Sequence, residues 1–278
     1  MMEKYSVLMS VYAKENPTCF REAVLSMLDQ TCKPSDFVIV CDGPLTRDLD
    51  SVIREFAAEH ADLFQIIRLP QNKGLGSALC AGLAECKCDL VARMDTDDIA
   101  CKDRMEKQLQ LFEEKPALTV VGGQIQEFIT EPDNRTGYRI VPALDSEIKK
   151  RLNHRNPMNH VTVTFRKDAV MAVGSYEAYE GFEDYQLWAK MMKHGYCFEN
   201  LSDVLVYVRV GNSMLERRGG MRYFAKALKF ERYLKSNQMI NTFEYSRNVT
   251  ERFLACIAPK WLRGVTYHKV MRKGRHQS

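Results

Sequence analysis

The sequence predicts an α/β fold: a mostly parallel sheet flanked by helices, with a helical C-terminal extension. Two observations carry this. Short apolar runs alternate with segments of helical spacing as far as Gly122, and nearly every run ends in a polar turn. This rhythm is that of a parallel sheet wrapped by helices.

Tyr5–Val11 is short and apolar and reads as a first, buried strand. Phe20, Ala23, Val24, Met27 and Leu28 then recur at helical spacing. Phe37–Cys41 is a continuous apolar run stopped by Asp42-Gly43-Pro44, a buried strand meeting a turn. A helix near Leu49–His60 follows, then a strand at Leu63–Leu69 closed by Pro-Gln-Asn-Lys-Gly. Leu75–Cys86 is helical, and Asp89–Met94 is a strand running into Asp95-Thr96-Asp97-Asp98. Lys102–Glu114 completes the series as a helix, before a strand at Leu118–Val121.

Past Gly122 the rhythm changes. Strands are expected at Gly123–Ile129, Val161–Arg166 and Val204–Val210, and helices near Ser146–Asn153 and Asp184–His194. Residues 1–220 are read as one catalytic-type domain, with halves 1–122 and 123–220. Residues 221–278 form a basic extension, helical over Met221–Leu234 and Asn241–Ile257. Because parallel crossovers share one hand, the strand C-termini share one edge. Ligands of open α/β sheets bind outside that edge. Ser10-Val11-Tyr12, Asp42-Gly43, Asn72-Lys73-Gly74 and Asp95–Asp98 all follow predicted strands, so they should gather there.

Bulk properties narrow the class. The 278 residues, 45% hydrophobic and 27% charged, suit a globular protein with a sizeable core. A net charge of +4 is too mild for a nucleic-acid binder. Nine scattered cysteines without a CxxC pair fit reduced thiols in the cytoplasm better than a disulfide framework. No run is long enough to span a membrane, and the N-terminus does not read as a signal peptide.

The strongest chemical signal is Asp95-Thr96-Asp97-Asp98. Three carboxylates at a strand end repel one another and are stable together when a cation sits among them. All-oxygen ligands suit Mg²⁺ or Mn²⁺, with phosphate oxygens completing the shell. The bland alternative is a helix cap. An EF-hand fails, because Ile99 and Ala100 stand where an oxygen ligand and Gly are needed. A phosphatase with an aspartyl nucleophile stays open on this motif alone.

Asp42 is placed to accept from a base or ribose, although a turn-forming Asp-Gly needs no function. Asn72-Lys73-Gly74-Leu75-Gly76 imitates a dinucleotide fingerprint but carries Leu79 at its last position. It reads as a glycine-marked helix start or as a close-packed loop with Lys73 facing phosphates. Glu183-Asp184 opens an amphipathic helix. Both acids serve as caps, or one acts as general base, its basicity raised by neighbouring aromatics. His160 reads as structural or as an acceptor-side group, and Trp188 is placed with it. Arg217-Arg218 lie in a basic loop able to close over a diphosphate.

In order and spacing, Ser6–Tyr12, Ser26–Thr31, Asp42-Gly43, Asn72–Leu75, Met94–Asp98 and Glu183–Trp188 resemble the family 2 inverting glycosyltransferases of GT-A (Rossmann-like) fold. Pro142, Asn156–His160 and Arg217–Gly220 are similar to the amylovoran-type enzymes of bacterial capsule and exopolysaccharide synthesis. One departure is Ala13, where the family more often carries Asn.

The resemblance implies a nucleotide-sugar donor, UDP-hexose by the family's habit, and a glycan or lipid-linked glycan acceptor. It implies that Ser10, Val11 and Tyr12 line the nucleotide pocket, with Asp42 at the base and Lys73, Gly74 and Thr96 beside the nucleotide. Asp95 would reach ribose or metal, Asp97 the metal, and Asp184 would be the base with Glu183 in support. The basic tail from Pro259, with Trp261, Leu262, Val265, Tyr267 and Val270 interleaved, suits contact with the inner membrane face or plain solvation. Two rivals remain at this point: a sugar nucleotidyltransferase and a non-catalytic sugar-nucleotide binder.

Overall fold

A computed structural model describes residues 3–210 and 220–257. The element order is β1 (Tyr5–Val11), α1 (Pro17–Leu28), β2 (Asp36–Cys41), α2 (Arg47–Glu59), β3 (Phe64–Arg68), α3 (Leu75–Glu85) and β4 (Leu90–Arg93). A two-residue strand, β5 (Ile99–Ala100), precedes α4 (Arg104–Glu114) and β6 (Leu118–Phe128). Then come β7 (Arg135–Arg139), α5 (Asp145–Leu152), a 3₁₀ turn at His160–Thr162, β8 (Thr164–Arg166), α6 (Lys167–Ala172), α7 (Glu183–Lys193) and β9 (Cys197–Arg209). The chain continues through α8 (Gly220–Ser236) and α9 (Thr242–Ile257).

All the strands join one sheet in the order β3-β2-β1-β4-β8-β6-β9-β5, with β7 paired to β6. The β3-β2-β1-β4 block is parallel, as is the long β6–β9 ladder, so parallel ladders hold most of the pairing. Strand β8 runs antiparallel to both β4 and β6 and joins the two parts. Strand order reverses at β1, with β2 on one side and β4 on the other. Outside the strands' carboxyl ends at such a switch point is where open α/β sheets bind ligands.

Alternation along β1 divides the core. Val7, Met9 and Val11 face α1, α2 and α4, while Leu8 faces α3, α7 and α8. Local chemistry starts the helices. Asn16 Oδ1 accepts from the backbone N–H of Thr18 and Cys19, with Pro17 at the first helical position. Thr46 accepts from the Leu49 N–H at the start of α2.

Three expectations for the second half change. The strands expected at Leu118–Val121 and Gly123–Ile129 are one strand, β6. Gly122-Gly123 do not break it: they make room, since a Cβ would stand 2.4 Å from Asn200 Oδ1 at Gly122 and 2.5 Å from Leu205 Cδ1 at Gly123. The pairing with β9 shifts register there. Strand β9 begins at Cys197 rather than Val204 because its polar residues are satisfied. Asn200 donates to the Pro142 carbonyl and Glu199 pairs with Lys115. Strand β7 and helix α6 are additions.

The first helix of the extension shares its core with the rest. Ala227, Phe230 and Leu234 are fully buried in the cluster that holds Phe182, Tyr185 and Trp188. Fully buried Glu231 is compensated by Arg252 Nε at 2.6 Å and Asn248 Nδ2 at 3.1 Å. Asn248 also donates to the Asn153 carbonyl, tying α9 to the loop after α5. Among the described residues no helix is long and apolar enough to cross a membrane. Arg217, Arg218 and the basic tail lie outside the described residues.

Candidate active site

The four polar segments do meet at the carboxyl edge. Strand β1 ends with Ser10 half-buried and the Val11 side chain in the core, so Val11 offers that edge only its backbone. The Val11 carbonyl accepts from the Asp42 N–H, holding β2's exit against β1's. Tyr12 turns away from the sheet, its carbonyl accepting from the Glu15 N–H.

Asp42 is buried, and its carboxylate accepts from the backbone N–H of Lys73 at 2.7 Å and Gly74 at 3.0 Å. Asn72 Nδ2 donates back to the Asp42 carbonyl. Asp42 thus shapes the loop that presents the exposed Lys73 side chain at the mouth of α3. A carboxylate has about four acceptor sites, so lone pairs remain for a ligand. Gly43 is required here, with φ +88° and a Cβ position 2.6 Å from the Asn72 nitrogen.

At the end of β4 the acids are sorted by exposure. Asp95 and Asp97 are half-exposed, while Thr96 and Asp98 are buried. Buried Arg93 forks onto both oxygens of Asp95, Nη1 reaching Oδ2 at 2.6 Å and Nη2 bonding Oδ1. Burial opposes charge on this guanidinium, but Asp95 outweighs it and the net shift is upward. Asp98 Oδ1 accepts from the Arg209 N–H at 2.9 Å. Burial, then the charges of Asp97 and Asp95, push the Asp98 carboxyl well above its usual range.

That crowding tests the fit of a cation. Three carboxyl groups crowd one strand end, and the charges of Asp97 and Asp95 act on Asp98. Asp97 and Asp95 are accessible, and they are hard oxygen donors. A divalent ion is compatible with this pair if other oxygens fill its shell. Among the described residues no group of three or more His, Cys, Asp or Glu side chains is arranged to hold one alone.

Arg93 also feels the charge of Asp184 at the start of α7, which opens with Glu183 and Asp184. Asn156 Nδ2 donates to Asp184 Oδ2 at 2.6 Å, and the Tyr185 N–H donates to Oδ1 at 2.7 Å. Desolvation raises the proton affinity of Asp184 despite these bonds and the charges of Arg93 and Arg139. Glu183 is raised as well, by burial and then by Asp184. Its Oε2 is buried with no hydrogen-bond partner.

His160 Nε2 lies 2.9 Å from the Tyr176 hydroxyl, and its ring meets Trp188 edge-on at 6.0 Å. Burial and then Arg93 hold the imidazole well below its usual pKa, so it is neutral. Trp188 is 0% exposed and belongs to the core. It backs His160 and offers no surface to an acceptor, a correction to its placement on the acceptor side. Its apolar bulk at helical spacing from Tyr185 and Met191 is the usual signature of a buried face.

Arg93 and Asn156 escaped assignment from sequence. Arg93 had a signal: it follows Leu90, Val91 and Ala92, and a charge in a buried strand must find a partner. Its charge acts on Asp95, Asp98, His160, Glu183 and Asp184 together. Asn156 stood in a quoted motif, but only the folded loop brings it to Asp184.

The mostly parallel sheet with its switch point at β1 is the α/β architecture of the GT-A glycosyltransferases. Residues 6–180 match the Glycosyl transferase family 2 model, and the chain belongs to that family. The match stops just before Glu183-Asp184. The "Amylovoran biosynthesis glycosyltransferase AmsE" of Erwinia amylovora is 37% identical over 230 residues, 82% of this chain and 84% of that protein. The "UDP-Gal:alpha-D-GlcNAc-diphosphoundecaprenol beta-1,3-galactosyltransferase" of Escherichia coli is 33% identical over 270 residues, 97% of each chain. The mannosyltransferase PcManGT of Pyrobaculum calidifontis, solved with GDP-Man and Mn²⁺, aligns with a TM-score of 0.64 at 14% identity. It covers 99% of this chain and 77% of that one, and at that identity the likeness establishes fold alone.

Proposed function

We propose that this glycosyltransferase moves a hexose from a UDP-sugar to a hydroxyl of a lipid-linked glycan in bacterial polysaccharide synthesis, inverting the anomeric centre. The observation that carries this reading is Asp184. It is a desolvated carboxylate of raised proton affinity, held by Asn156, and it shares the charge of Arg93 with Asp95. A base of that kind suits removal of an acceptor proton as the new bond forms. The E. coli relative's name supplies the model for donor and acceptor.

Asp42 and the Ser10–Tyr12 backbone would hold base and ribose, and Lys73 the phosphates. Asp97 and Asp95 would hold Mn²⁺ or Mg²⁺, which when bound neutralises the departing diphosphate. Arg93 orients Asp95 through its two hydrogen bonds. Asp184 takes the acceptor proton, and Glu183 sustains the negative field around it. Arg217 and Arg218 are assigned to the diphosphate and the basic tail to a cytoplasmic membrane surface, both on sequence alone.

Titration calorimetry with UDP, GDP, dTDP and CDP, each with Mn²⁺ and then with chelator, tests the donor side. Tight UDP binding that chelator abolishes is expected, and Asp97→Ala should abolish it equally. Equal affinity for all four, or affinity indifferent to chelator, would refute the donor and metal assignments.

A further inference from the structure

The last residue of β9 closes on the acidic turn. The Arg209 backbone N–H donates to Asp98 Oδ1 at 2.9 Å, and its side-chain Nε donates to the Asp97 carbonyl at 3.2 Å. The same guanidinium reaches two further elements. Nη1 donates to the Thr130 carbonyl, just beyond β6, at 3.0 Å, and Nη2 donates to Glu22 Oε2 on α1 at 2.6 Å. The group lies over the Phe128 ring, 4.7 Å from its centroid. Sheet register brings these partners together. Strand β9 runs parallel to β6 and sets Arg209 beside Phe128. Strand β5, which begins at Ile99, pairs antiparallel with β9, so the chain returns to that strand directly after Asp98.

We propose that Arg209 is a positioning residue: it clamps the Asp97-Asp98 turn so that Asp95 and Asp97 are presented together to the divalent cation of the donor complex. This rests on the metal reading above and names what holds its ligands. Asp95 is already fixed by Arg93, two residues before it. Asp97 lies in the bend between β4 and β5. Its backbone must be held from elsewhere if the two carboxylates are to keep one geometry, and Arg209 does so. Partners behind the ligands commonly set how well a site binds its metal.

The ordinary alternative is a surface ion pair with Glu22, whose side chain is 45% exposed. Such pairs contribute little. That accounts for Nη2 alone. It does not account for Nε and Nη1, both committed to main-chain carbonyls, or for the ring beneath the group. Lysine would supply the charge without the planar fork. Charge by itself works against the site, because a cation beside Asp97 repels a divalent ion. Geometry and charge therefore predict opposite effects when Arg209 is removed.

The test is calorimetric titration of UDP with Mn²⁺ into the whole chain. Arg209→Met and Arg209→Lys should each weaken Mn²⁺-dependent UDP binding by about 10- to 100-fold. Glu22→Gln, which removes only the ion pair, should bind as wild type does. Unchanged or tighter binding in Arg209→Met, or full retention in Arg209→Lys, would overturn the assignment. A second readout needs no metal. With chelator present, hydrogen exchange followed by mass spectrometry should show peptides across residues 95–100 exchanging faster in both Arg209 variants than in wild type, while peptides from β1 and β2 are unaltered. Equal exchange, or faster exchange throughout the sheet, would overturn the clamp. UDP binding indifferent to chelator in wild type would defeat the metal reading of the proposed function, and the exchange measurement would still decide whether Arg209 holds the turn.

Discussion

Replacing Gly76 with Ala should damage catalysis through a residue that touches neither substrate. Gly76 lies in the first turn of α3, and a Cβ there would stand 2.1 Å from the Glu177 carbonyl oxygen and 2.9 Å from its carbon. To reach ordinary contact that carbonyl must withdraw by roughly 1.3 Å. It is not free to do so. It accepts from the Tyr179 N–H, and the Glu177 side chain is held by Gln186 and Lys190. The segment that would shift leads directly into Glu183 and Asp184.

Overpacking of this kind costs about 1–3 kcal/mol. Ala in a helix recovers about 0.5–1 kcal/mol. A net loss of about 1–2 kcal/mol is expected in urea unfolding, with kcat down by up to about 100-fold for a displacement near 1 Å. Gly195→Ala is the control. Gly195 follows α7 with φ +82° and open space around its Cβ position, so Ala there is strained without pushing on a neighbour. It should lose comparable stability and keep kcat. The reasoning fails if Gly76→Ala retains wild-type turnover, or if both variants lose turnover alike.

Further outcomes are expected. Asp184→Asn should bind donor normally and lose about 100- to 10,000-fold in kcat, the usual worth of general-base catalysis; near-normal turnover would remove the base assignment. Since desolvation raises the Asp184 pKa, wild-type kcat should climb with pH through a limb above the ordinary aspartate range, and that limb should vanish in the variant. Asp98→Asn keeps an acceptor for the Arg209 N–H but removes a buried charge. A carboxyl with a raised folded-state pKa contributes stability below the unfolded pKa and loses it as pH rises through the folded one. With chelator present, Asp98→Asn should therefore melt higher than wild type at neutral pH, the advantage fading toward acid. A lower melting temperature at neutral pH would contradict the burial argument.

The sheet edge was legible because each of its turns is written locally. Asp42-Gly43, Asn72–Gly74 and Asp95–Asp98 punctuate apolar runs, and the parallel rule then places them together without any tertiary knowledge. What could not be read depends on contacts between distant residues. Gly122-Gly123 look like a break, and only Asn200 and Leu205 on β9 explain why a strand must lack side chains there. Polar Glu199 and Asn200 look like loop until Lys115 and the Pro142 carbonyl satisfy them. Trp188 follows Glu183-Asp184 closely in sequence, but it lies on the buried face of α7. Arg93 and Asn156 act through partners set by the fold, so their identities alone do not reveal their roles.

The buried Glu231 has a consequence for the order of synthesis. Helix α7 carries Asp184, yet its flank is closed by Phe230 against Phe182 and Tyr185, and Phe230 is followed by Glu231, a carboxylate bonded by Arg252 and Asn248. A nascent chain exposed only as far as α7 would lack Phe230 and Arg252, which pack on Phe182 and Tyr185. At roughly 5–20 residues per second, several seconds separate translation of Asp184 from that of Arg252. The packing of α7 is thus completed by residues made well after its own.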